Sequence, residues 1–253
     1  MTRRAALITG GAKRIGAAIC RRFGEAGWHV VIHCNRSRAE AETLAAALPS
    51  AEVVQCDLID SEAAIAMIEG LAARLGDWRV LVNSASMFVP DEATGLDPET
   101  SRLSMRINAV SPVRMSQAFL RHARSAHGRR VIDITDQKLA NPNPDFFSYT
   151  MSKHALAATV PMLAMTARAD DRVHALAPGA ILASHDQAAD EAEISHRMNP
   201  LRRRTLTDEV ADAALFLAEG PLASGQTLFV DSGQHLLSQP RDVMYLARGE
   251  SGR

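Results

Sequence analysis

The strongest constraint on the fold is the alternation, along the whole chain, of short apolar runs with longer segments whose apolar residues recur every three or four positions. The short runs are predicted strands: Ala5–Thr9, His29–His33, Glu52–Cys56, Val80–Asn83, Val131–Thr135, Val173–Ala177 and Leu228–Val230. The longer segments are predicted helices: Ile15–Ala26, Arg38–Leu48, Glu62–Leu75, Glu99–Asn108, Pro112–Ala126, Tyr149–Arg168 and Asp208–Ala218. Because parallel neighbours need a crossover helix between them, the pattern predicts an α/β fold with a doubly wound, seven-stranded parallel sheet flanked by helices.

The domain organisation follows from the absence of any linker rich in Pro, Gly or Ser. A single domain is predicted for residues 1–237. It includes an irregular connection at 179–200, a candidate substrate loop because long connections in compact domains are often functional. Residues 238–253 form a C-terminal tail, whose apolar cluster Val243–Leu246 predicts packing at a subunit interface, with a disordered terminus as the alternative.

The composition excludes several classes of function. The chain has 28 Lys and Arg against 29 Asp and Glu, so it carries no overall basic charge for nucleic acid or an anionic membrane. No run approaches the ~18 apolar residues of a membrane span. Cys20, Cys34 and Cys56 stand too far apart for a disulfide framework or a zinc site. We therefore expect a cytoplasmic protein without a metal site.

A glycine-rich turn, Thr9–Gly16, joins the first strand to the first helix. In this context glycine lets backbone N–H groups and a helix N-terminus approach a diphosphate, so the turn predicts a dinucleotide site. Lys13 and Arg14 add positive charge where the phosphates would lie. The alternative is a plain turn with two solvated basic side chains.

The end of the second strand indicates which dinucleotide binds. No Asp or Glu occurs between Gly27 and Ala39, although an NAD site usually places a carboxylate there for the ribose 2′-hydroxyl. Arg36 and Ser37 would instead hold a 2′-phosphate, which a carboxylate would repel. We therefore predict NADPH/NADP as the cofactor, with an ordinary polar turn as the alternative.

Tyr149 and Lys153 lie four residues apart at the start of a predicted helix, so both side chains project from one face. An ammonium near a phenol lowers the pKa of the tyrosine towards the working pH, which makes the phenol a usable proton donor. On spacing alone, a surface pair is the simpler interpretation. The chain has only three lysines, however, and Lys13 and Lys153 both fall at candidate site positions.

Taken together, these motifs resemble the short-chain dehydrogenase/reductase family, and the resemblance extends to about Gly233. The further motifs that carry it are Asn83-Ser84-Ala85-Ser86, Asn108, Tyr149-x-x-x-Lys153 and Pro178-Gly179. The resemblance implies a Rossmann-type domain and NAD(P)-dependent hydride transfer. It also implies that Tyr149 donates a proton, that Lys153 binds the nicotinamide ribose and lowers the pKa of Tyr149, and that Asn108 supports a proton-relay water.

The same resemblance implies the site residues and the assembly. The cofactor positions are Gly10, Lys13, Arg14, Ile15, Gly16, His33, Asn35, Arg36, Ser37, Asp57, Leu58, Asn83, Ser84, Ala85, Tyr149, Lys153, Pro178 and Gly179. The catalytic positions are Asp136, Tyr149, Lys153 and Asn108. The implied assembly is a homotetramer with the helices Pro112–Ala126 and Tyr149–Arg168 at its interface.

Departures from the family's common pattern narrow the substrate. Arg14 replaces the usual middle glycine of the first motif, and Asp136 replaces the serine that usually stands thirteen residues before the tyrosine. Both substitutions resemble the pteridine reductase branch, which includes the dihydromonapterin reductases. Ser84 departs from the family's usual second asparagine. The substrate positions implied by this branch are Arg14, Ser86, Phe88, Asp136 and Tyr149, with Phe88 stacked on a pterin and Ser86 hydrogen-bonded to it.

The chemistry of these residue types agrees with a pterin, which is flat and electron-poor and carries ring nitrogens and an amino group. An aromatic platform at Phe88 and a hydrogen-bond acceptor suit such a molecule. An ionised Asp136 disfavours the Tyr149 phenolate, opposing Lys153, and would repel the oxyanion that develops in ketone reduction. The alternatives are that Asp136 caps a turn and that Phe88 belongs to the core.

We therefore predict NADPH-dependent reduction of a dihydropterin to the tetrahydropterin, across the C6=N5 bond of a 7,8-dihydropterin. Tyr149 would supply the proton, directly or through water. One alternative is an NADPH-dependent carbonyl or 3-oxoacyl-thioester reductase of the same family. An alternative of another class is a non-catalytic NADP(H)-sensing regulator, against which the Tyr149 and Lys153 pair argues.

The cofactor preference can be tested at Arg36. We expect Arg36→Ala to weaken NADPH binding by roughly 1.5–3 kcal/mol, because a charged hydrogen bond to the 2′-phosphate is lost. NADH, which lacks that phosphate, should bind as before. The measurement is the Kd of each cofactor by titration calorimetry, and equal weakening of both cofactors would contradict the assignment.

Overall fold

The computed structural model describes residues 3–184 and 187–250. Its strands are β1 (Ala5–Ile8), β2 (His29–Cys34), β3 (Ala51–Gln55), β4 (Trp78–Asn83), β5 (Arg130–Ile134), β6 (Arg172–Pro178) and β7 (Thr227–Val230). They form one parallel sheet in the order β3-β2-β1-β4-β5-β6-β7, which confirms the predicted doubly wound fold. The winding reverses between β1 and β4, so a crevice opens at the carboxyl ends of these strands.

Helices cover both faces of the sheet. They are α1 (Arg14–Glu25), α2 (Arg38–Ala47), α3 (Ser61–Arg74), α4 (Pro98–Met105), α5 (Ser111–His122), α6 (Phe147–Thr166), α7 (Ala189–His196), α8 (Thr207–Glu219) and α9 (Val243–Ala247). Among the described residues, no helix is both long enough and apolar enough to cross a membrane.

Two apolar cores lie on opposite faces of the sheet, because successive strand residues point to opposite sides. On one face, Ile8 of β1 belongs to a cluster with Phe23 of α1 and Leu217 of α8. On the other face, Leu7 of β1 belongs to a cluster with Phe119 of α5. The sheet is therefore buried on both sides and gives the loops at its carboxyl edge a rigid base.

Between α4 and α5 the chain makes one π-helical turn, Arg106–Val110, where the sequence predicted a break between two helices. The N–H of Ser111 donates to the carbonyl of Arg106, five residues back. Pro112 has no N–H to donate to the carbonyl four residues before it, and a wider turn relieves the clash of its ring. The helical run is therefore continuous, and α5 ends at His122 rather than at the predicted Ala126.

The connection at 179–200, predicted to be irregular, contains the helix α7. Its buried residues are Ala192, Ser195 and His196, and because two of them are polar, no apolar stripe marks the helix in the sequence. Acidic residues in its first turn favour the helix electrostatically. Residues 185 and 186 of the predicted substrate loop lie outside the described residues.

The apolar cluster of the tail, which predicted a subunit interface, is covered in part by its own domain. Val243 and Met244 of α9 are buried, and Met244 packs with Phe146. Arg241 Nε donates to both carboxylate oxygens of the buried Asp145, at 2.9 and 2.8 Å. Val243 and Met244 therefore need no second subunit to cover them, while an interface at the partly exposed Tyr245 and Leu246 stays a prediction. Residues 251–253 of the predicted tail lie outside the described residues.

The packing of the tail predicts the effect of its removal. Truncation after Ser238 should lower the free energy of unfolding by roughly 1.5–3 kcal/mol for each large apolar contact it uncovers, chiefly that of Met244. The measurement is urea unfolding followed by circular dichroism, with a chain ending at Glu250 as the control. An unchanged midpoint in the shorter chain would show that the tail does not stabilise the domain.

Candidate active site

A cavity of about 680 Å³ lies at the carboxyl edge of the sheet and brings together most of the predicted site residues. Those that line it are Gly10, Lys13, Arg14, Ile15, Gly16, His33, Asn35, Asp57, Leu58, Ser84, Ala85, Ser86, Phe88, Asp136, Tyr149, Lys153, Pro178 and Gly179. Apart from Tyr149 and Lys153 on α6, they lie at or after the ends of strands. Parallel strands end at one edge, which is why positions far apart in the chain meet there.

Four predicted site residues do not line this cavity: Arg36, Ser37, Asn83 and Asn108. Arg36 is exposed at the end of β2. Asn83 is buried, and its Nδ2 donates to Asp133 Oδ1 at 2.7 Å, a bond that joins β4 to β5. A direct cofactor contact for these residues stays a prediction.

Asn108, on the π-helical turn, is buried and fixes the segment that follows β4. Its Nδ2 donates to the carbonyl of Met87 at 2.9 Å and to Ser152 Oγ at 3.0 Å. Its Oδ1 accepts from the N–H of Met87 at 2.8 Å and from Ser86 Oγ at 3.2 Å. The side chain therefore positions Ser86 and Met87, while its predicted part in a proton relay stays a prediction.

Close packing around the glycine turn explains why two of its positions carry no side chain. Gly10 has a φ of +63°, and a Cβ there would lie 2.9 Å from the Cα of Ala85. At Gly16 a Cβ would overlap the carbonyl oxygen of Gly10. Thr9 Oγ1 accepts from the N–H groups of Ser84 and Ala85, at 2.9 and 3.0 Å, and so holds the loop after β4 against the turn. A larger residue at either glycine would displace the start of α1 from the cavity.

His33 joins the glycine turn to the end of β3. Its Nδ1 accepts from the N–H of Gly10 at 3.2 Å, and its Nε2 lies 3.0 Å from the carbonyl oxygen of Cys56. A ring nitrogen that accepts an N–H bond is unprotonated, which assigns the proton to Nε2, the donor to Cys56. Burial lowers the pKa of His33 to about 4, so the ring is neutral at neutral pH.

The two basic residues of the turn differ in their partners. Arg14 has a φ of +54°, a left-handed conformation that costs a non-glycine residue roughly 1–3 kcal/mol. Its Nη1 donates to the carbonyl of Ala183 at 3.1 Å and so reaches the segment after β6. Lys13 Nζ pairs with Glu40 of α2 at 2.6 Å. Glu40 directly follows the stretch between Gly27 and Ala39 that contains no Asp or Glu. The Lys13 ammonium offsets the negative charge of the Glu40 carboxylate.

The reactive corner consists of Asp136, just after β5, and of Tyr149 and Lys153 on α6. Tyr149 Oη donates to Asp136 Oδ2 at 2.7 Å. Lys153 Nζ donates to the carbonyl of Ile134 at 2.7 Å and lies 5.7 Å from the centre of the Tyr149 ring. One turn of α6 thus presents a phenol and an ammonium on the same face, as their spacing predicts.

Burial, followed by the charge of Asp136, raises the pKa of Tyr149 well above its usual value. Burial also raises the pKa of Asp136 and lowers that of Lys153 to about 8. The net pKa of Tyr149 is thus raised rather than lowered, because burial and the neighbouring carboxylate act against Lys153, whose own effect on the phenol stays a prediction. The predicted opposing effect of Asp136 is confirmed, and the phenol keeps its proton at neutral pH.

The start of α6 is held by Asp91, a residue that sequence analysis missed. Phe146, which precedes the helix, has a φ of +51° and makes no side-chain cap. Asp91, from the loop after β4, accepts from the N–H of Ser148 at 3.0 Å and also from its hydroxyl. A carboxylate at a helix N-terminus is stabilising, and this one orients the turn that carries Tyr149. Because Asp91 lies 57 residues before Ser148, no local motif marks it.

Phe88 forms an aromatic wall of the cavity. Its ring stacks on Phe146 with centroids 4.1 Å apart and meets Tyr149 edge-on at 4.8 Å. The side chain nevertheless remains 38% exposed. Phe88 is therefore fixed by the protein yet accessible to a ligand, which the core alternative does not explain.

The wall beyond Asp136 comes from two segments that sequence analysis did not assign to the site. The 3₁₀ turn Gln137–Ala140 supplies Lys138 to the cavity. The tail supplies Asp242 and Met244. These are single side chains in irregular segments, so neither periodicity nor a motif identifies them, although the apolar cluster of the tail marked it as buried.

The opposite end of the cavity fits an NADP-type dinucleotide. The backbone at Gly10 and Gly16 is packed too closely for a Cβ, and α1 begins beside it, which is the arrangement that accommodates a diphosphate. Lys13, paired with Glu40, and Arg14 supply positive charge, whereas a contact of the exposed Arg36 with a 2′-phosphate stays a prediction.

Comparison with known proteins decides the family. The family model described as "Enoyl-(Acyl carrier protein) reductase" matches residues 10–235 of the chain. The chain is a short-chain dehydrogenase/reductase.

Relatives of this short-chain dehydrogenase/reductase act on different substrates. A Streptomyces violaceoruber protein named for a ketoacyl reductase of the granaticin polyketide synthase is 32% identical over 92% of this chain and 96% of that protein. Pteridine reductase 1 of Leishmania tarentolae is 27% identical over 91% of this chain and 96% of that protein. The crystal structure of FolM alternative dihydrofolate reductase 1 from Brucella canis, complexed with NADP, is 33% identical. It covers 95% of this chain and 97% of its own, with a TM-score of 0.88.

The catalytic role of Tyr149 in this short-chain dehydrogenase/reductase can be tested by removing one oxygen atom. We expect Tyr149→Phe to slow substrate reduction by ~10²-fold or more, because the proton donor is lost, while NADPH binding is retained. The measurement is single-turnover NADPH oxidation alongside cofactor titration. Tyr245→Phe makes the same change at the chain's other tyrosine and serves as the control. An unchanged single-turnover rate in Tyr149→Phe would rule out the role.

Proposed function

We propose that this short-chain dehydrogenase/reductase reduces a dihydropterin to the tetrahydropterin with NADPH. The observation that carries the proposal is the 2.7 Å hydrogen bond from Tyr149 Oη to Asp136 Oδ2. A carboxylate stands there in place of the hydroxyl donor that suits a ketone. The proton donor of this site is therefore paired with an acceptor.

The charge of Asp136 favours a substrate in which no oxyanion develops. Reduction of a ketone builds negative charge on oxygen, and a carboxylate at that place repels it. Reduction of a C=N bond delivers the proton to nitrogen, which leaves a neutral amine. A second hydrogen bond holds Asp136 in place, because its Oδ1 accepts from the N–H of Lys138 at 2.8 Å.

NADPH, when bound, supplies the hydride that reduces C6 of the dihydropterin. Tyr149 supplies the proton for N5, directly or through water, and Asp136 keeps the phenol protonated until then. The Lys153 ammonium, 5.7 Å from the phenol ring, compensates the charge that appears when the proton leaves. With a pKa of about 8, Lys153 remains mostly charged at neutral pH.

The shape of the site supports a flat heterocycle. Phe88 offers an accessible ring, fixed from behind by Phe146, on which such a molecule can stack. Ser86 stands beside it, held by Asn108, and Arg14 faces the cavity from the glycine turn. The pteridine reductase of Leishmania tarentolae and the FolM protein of Brucella canis, both similar along nearly the whole chain, support the same substrate class.

The second candidate is reduction of a carbonyl or 3-oxoacyl thioester. It is favoured by the 32% identity to the Streptomyces protein named for a ketoacyl reductase. Asp136 argues against it, for the electrostatic reason given above. A non-catalytic NADP(H)-sensing protein is a weaker candidate, because a regulator has no need of the paired proton donor.

The assembly and the location are also proposals. A homotetramer would cover the exposed Met162 and Met165 of α6, the helix for which an interface is predicted. A cytoplasmic location agrees with three buried, unpaired cysteine thiols.

The proposal can be tested by exchanging the carboxylate for the family's serine. We expect Asp136→Ser to lower kcat/KM for a dihydropterin by ~10-fold or more and to raise activity on a small ketone that the cavity admits. The measurement is kcat/KM for both substrate classes with saturating NADPH. A serine variant with full dihydropterin activity at every pH would put the carbonyl reductase first.

The pH profile gives a second observable. Asp136 raises the pKa of Tyr149, so its removal should lower that pKa. A general acid is lost when it deprotonates, and the alkaline decline in rate should therefore begin at lower pH in Asp136→Ser than in the parent enzyme. An alkaline limb that stays in place would mean that the two residues are not coupled.

A further inference from the structure

An ion pair that the proposed mechanism does not use lies beside the reactive corner. Lys138 Nζ donates to Asp242 Oδ2 at 3.4 Å and to the carbonyl of Asp145 at 2.6 Å. Lys138 is buried, and both members of the pair line the cavity. They are called here the Lys138–Asp242 pair.

Asp242 is held in place by hydrogen bonds to Asp145 and to the tail itself. Its N–H donates to Asp145 Oδ2 at 2.7 Å, and its Oδ1 accepts from the N–H of Met244 at 3.1 Å. The preceding residue, Arg241, is anchored on the same aspartate. A group held by several bonds in this way is preorganised to bind, since little is lost in ordering it.

The pair is continuous with the reacting groups. The backbone N–H of Lys138 donates to the same Asp136 carboxylate that accepts from Tyr149. Met244, two residues after Asp242, belongs to one apolar cluster with Tyr149. The charge of Asp242 also contributes to the raised pKa of Tyr149 and of Asp136, so it acts electrostatically at the corner.

The position of the reduced bond in a dihydropterin indicates which part of the substrate would face this pair. A dihydropterin reduced across C6=N5 carries its variable substituent on C6, next to the atoms that meet Tyr149. Hydroxyl groups both donate and accept hydrogen bonds, so a hydroxylated substituent matches a lysine donor beside a carboxylate acceptor. A methyl or aryl substituent would cover the ions without replacing their lost water contacts, which is costly.

We propose that the Lys138–Asp242 pair is a specificity-determining subsite that binds a short hydroxylated substituent on the reacting carbon of the dihydropterin. This inference rests on the proposed function and names the substrate class within it. It assigns to the C-terminal tail a part in substrate recognition.

The test compares C6 substituents in the parent enzyme and in Asp242→Ala, with saturating NADPH. The substrates are 7,8-dihydropterins with a trihydroxypropyl or a methyl group on C6, and 7,8-dihydrofolate, whose substituent carries an aryl group. We expect the parent enzyme to favour the trihydroxypropyl compound in kcat/KM by about tenfold or more, because only it satisfies the pair. In Asp242→Ala the ratio of kcat/KM between the trihydroxypropyl and the methyl compound should fall about tenfold, mainly through the KM of the trihydroxypropyl compound.

The ratio between substrates separates recognition from electrostatics. Loss of the Asp242 charge also alters Tyr149, but that change acts on every substrate and cancels in the ratio. Asp242→Asn keeps the size of the side chain and one accepting oxygen, so it should lose less of the preference. Arg248→Gln serves as the matched control, because it removes the 3.1 Å ion pair of the tail with Glu191 outside the cavity and should leave the ratio unchanged. Thermal unfolding of each variant verifies that it is folded.

Three outcomes would overturn the inference. An equal loss for all substrates in Asp242→Ala would show that the residue acts through Tyr149 or through stability, and the pterin function would stand. A parent enzyme that prefers the methyl compound or dihydrofolate would also leave the pterin function standing without this subsite. A parent enzyme that oxidises NADPH with none of the dihydropterins would overturn the proposed function together with the subsite.

Discussion

All seven strands of the sheet run parallel, and this single constraint places every loop that follows a strand at one edge. The glycine turn after β1, Ser86 and Phe88 after β4, and Asp136 after β5 meet there for that reason. Both faces of the sheet are packed, so the edge is rigid, and hydrogen bonds such as that from Gly10 to His33 then hold the turns in relation to each other. The cavity therefore results from the common direction of the strands, whichever residues line it.

The electrostatics of the reactive corner arise from competition between burial and charge. Burial disfavours both the Tyr149 phenolate and the Lys153 ammonium. Asp136 strengthens the first effect by its charge and hydrogen bond, whereas Asp136 and Asp133 oppose the second by favouring the charged lysine. Tyr149 therefore holds its proton while Lys153 stays close to its charged form. A corner of this kind suits proton donation to nitrogen better than stabilisation of an oxyanion.

The tail completes the cavity by joining two parts of the fold that the sheet leaves separate. On one side it is anchored at Asp145 through Arg241, next to the left-handed Phe146 that begins α6. On the other side Arg248 pairs with Glu191 of α7 at 3.1 Å. The contacts at Asp145 hold Asp242 and Met244 at the wall beside Tyr149. The tail thereby lines the cavity beside the reactive corner.

Local patterns in the sequence were sufficient for the architecture and for much of the site. Short apolar runs identified all seven strands, including β3 and β7 at the edges of the sheet, which are only partly buried. The spacing of Tyr149 and Lys153 placed them on one helical face. Periodicity missed α7, because the buried residues of this helix are partly polar. It also predicted a break between two helices before Pro112, where the chain instead continues through a π-helical turn. It also indicated that the tail's apolar cluster must be covered, but not that Val243 and Met244 are covered by their own domain.

The glycine turn, the acid-free end of β2 and the pairing of Tyr149 with Lys153 were therefore determined by the sequence itself, through turn chemistry and helix spacing. The places of Asp136, Ser86 and Phe88 followed from the resemblance to the family. Only the tertiary structure decided the direction of the Tyr149 pKa shift, the capping of α6 by Asp91, and the meeting of Lys138 with Asp242. The physical reason is the distance along the chain over which each interaction acts. Helix periodicity and glycine turns act over a few neighbouring residues, whereas burial and hydrogen bonds between distant segments exist only after the chain has folded.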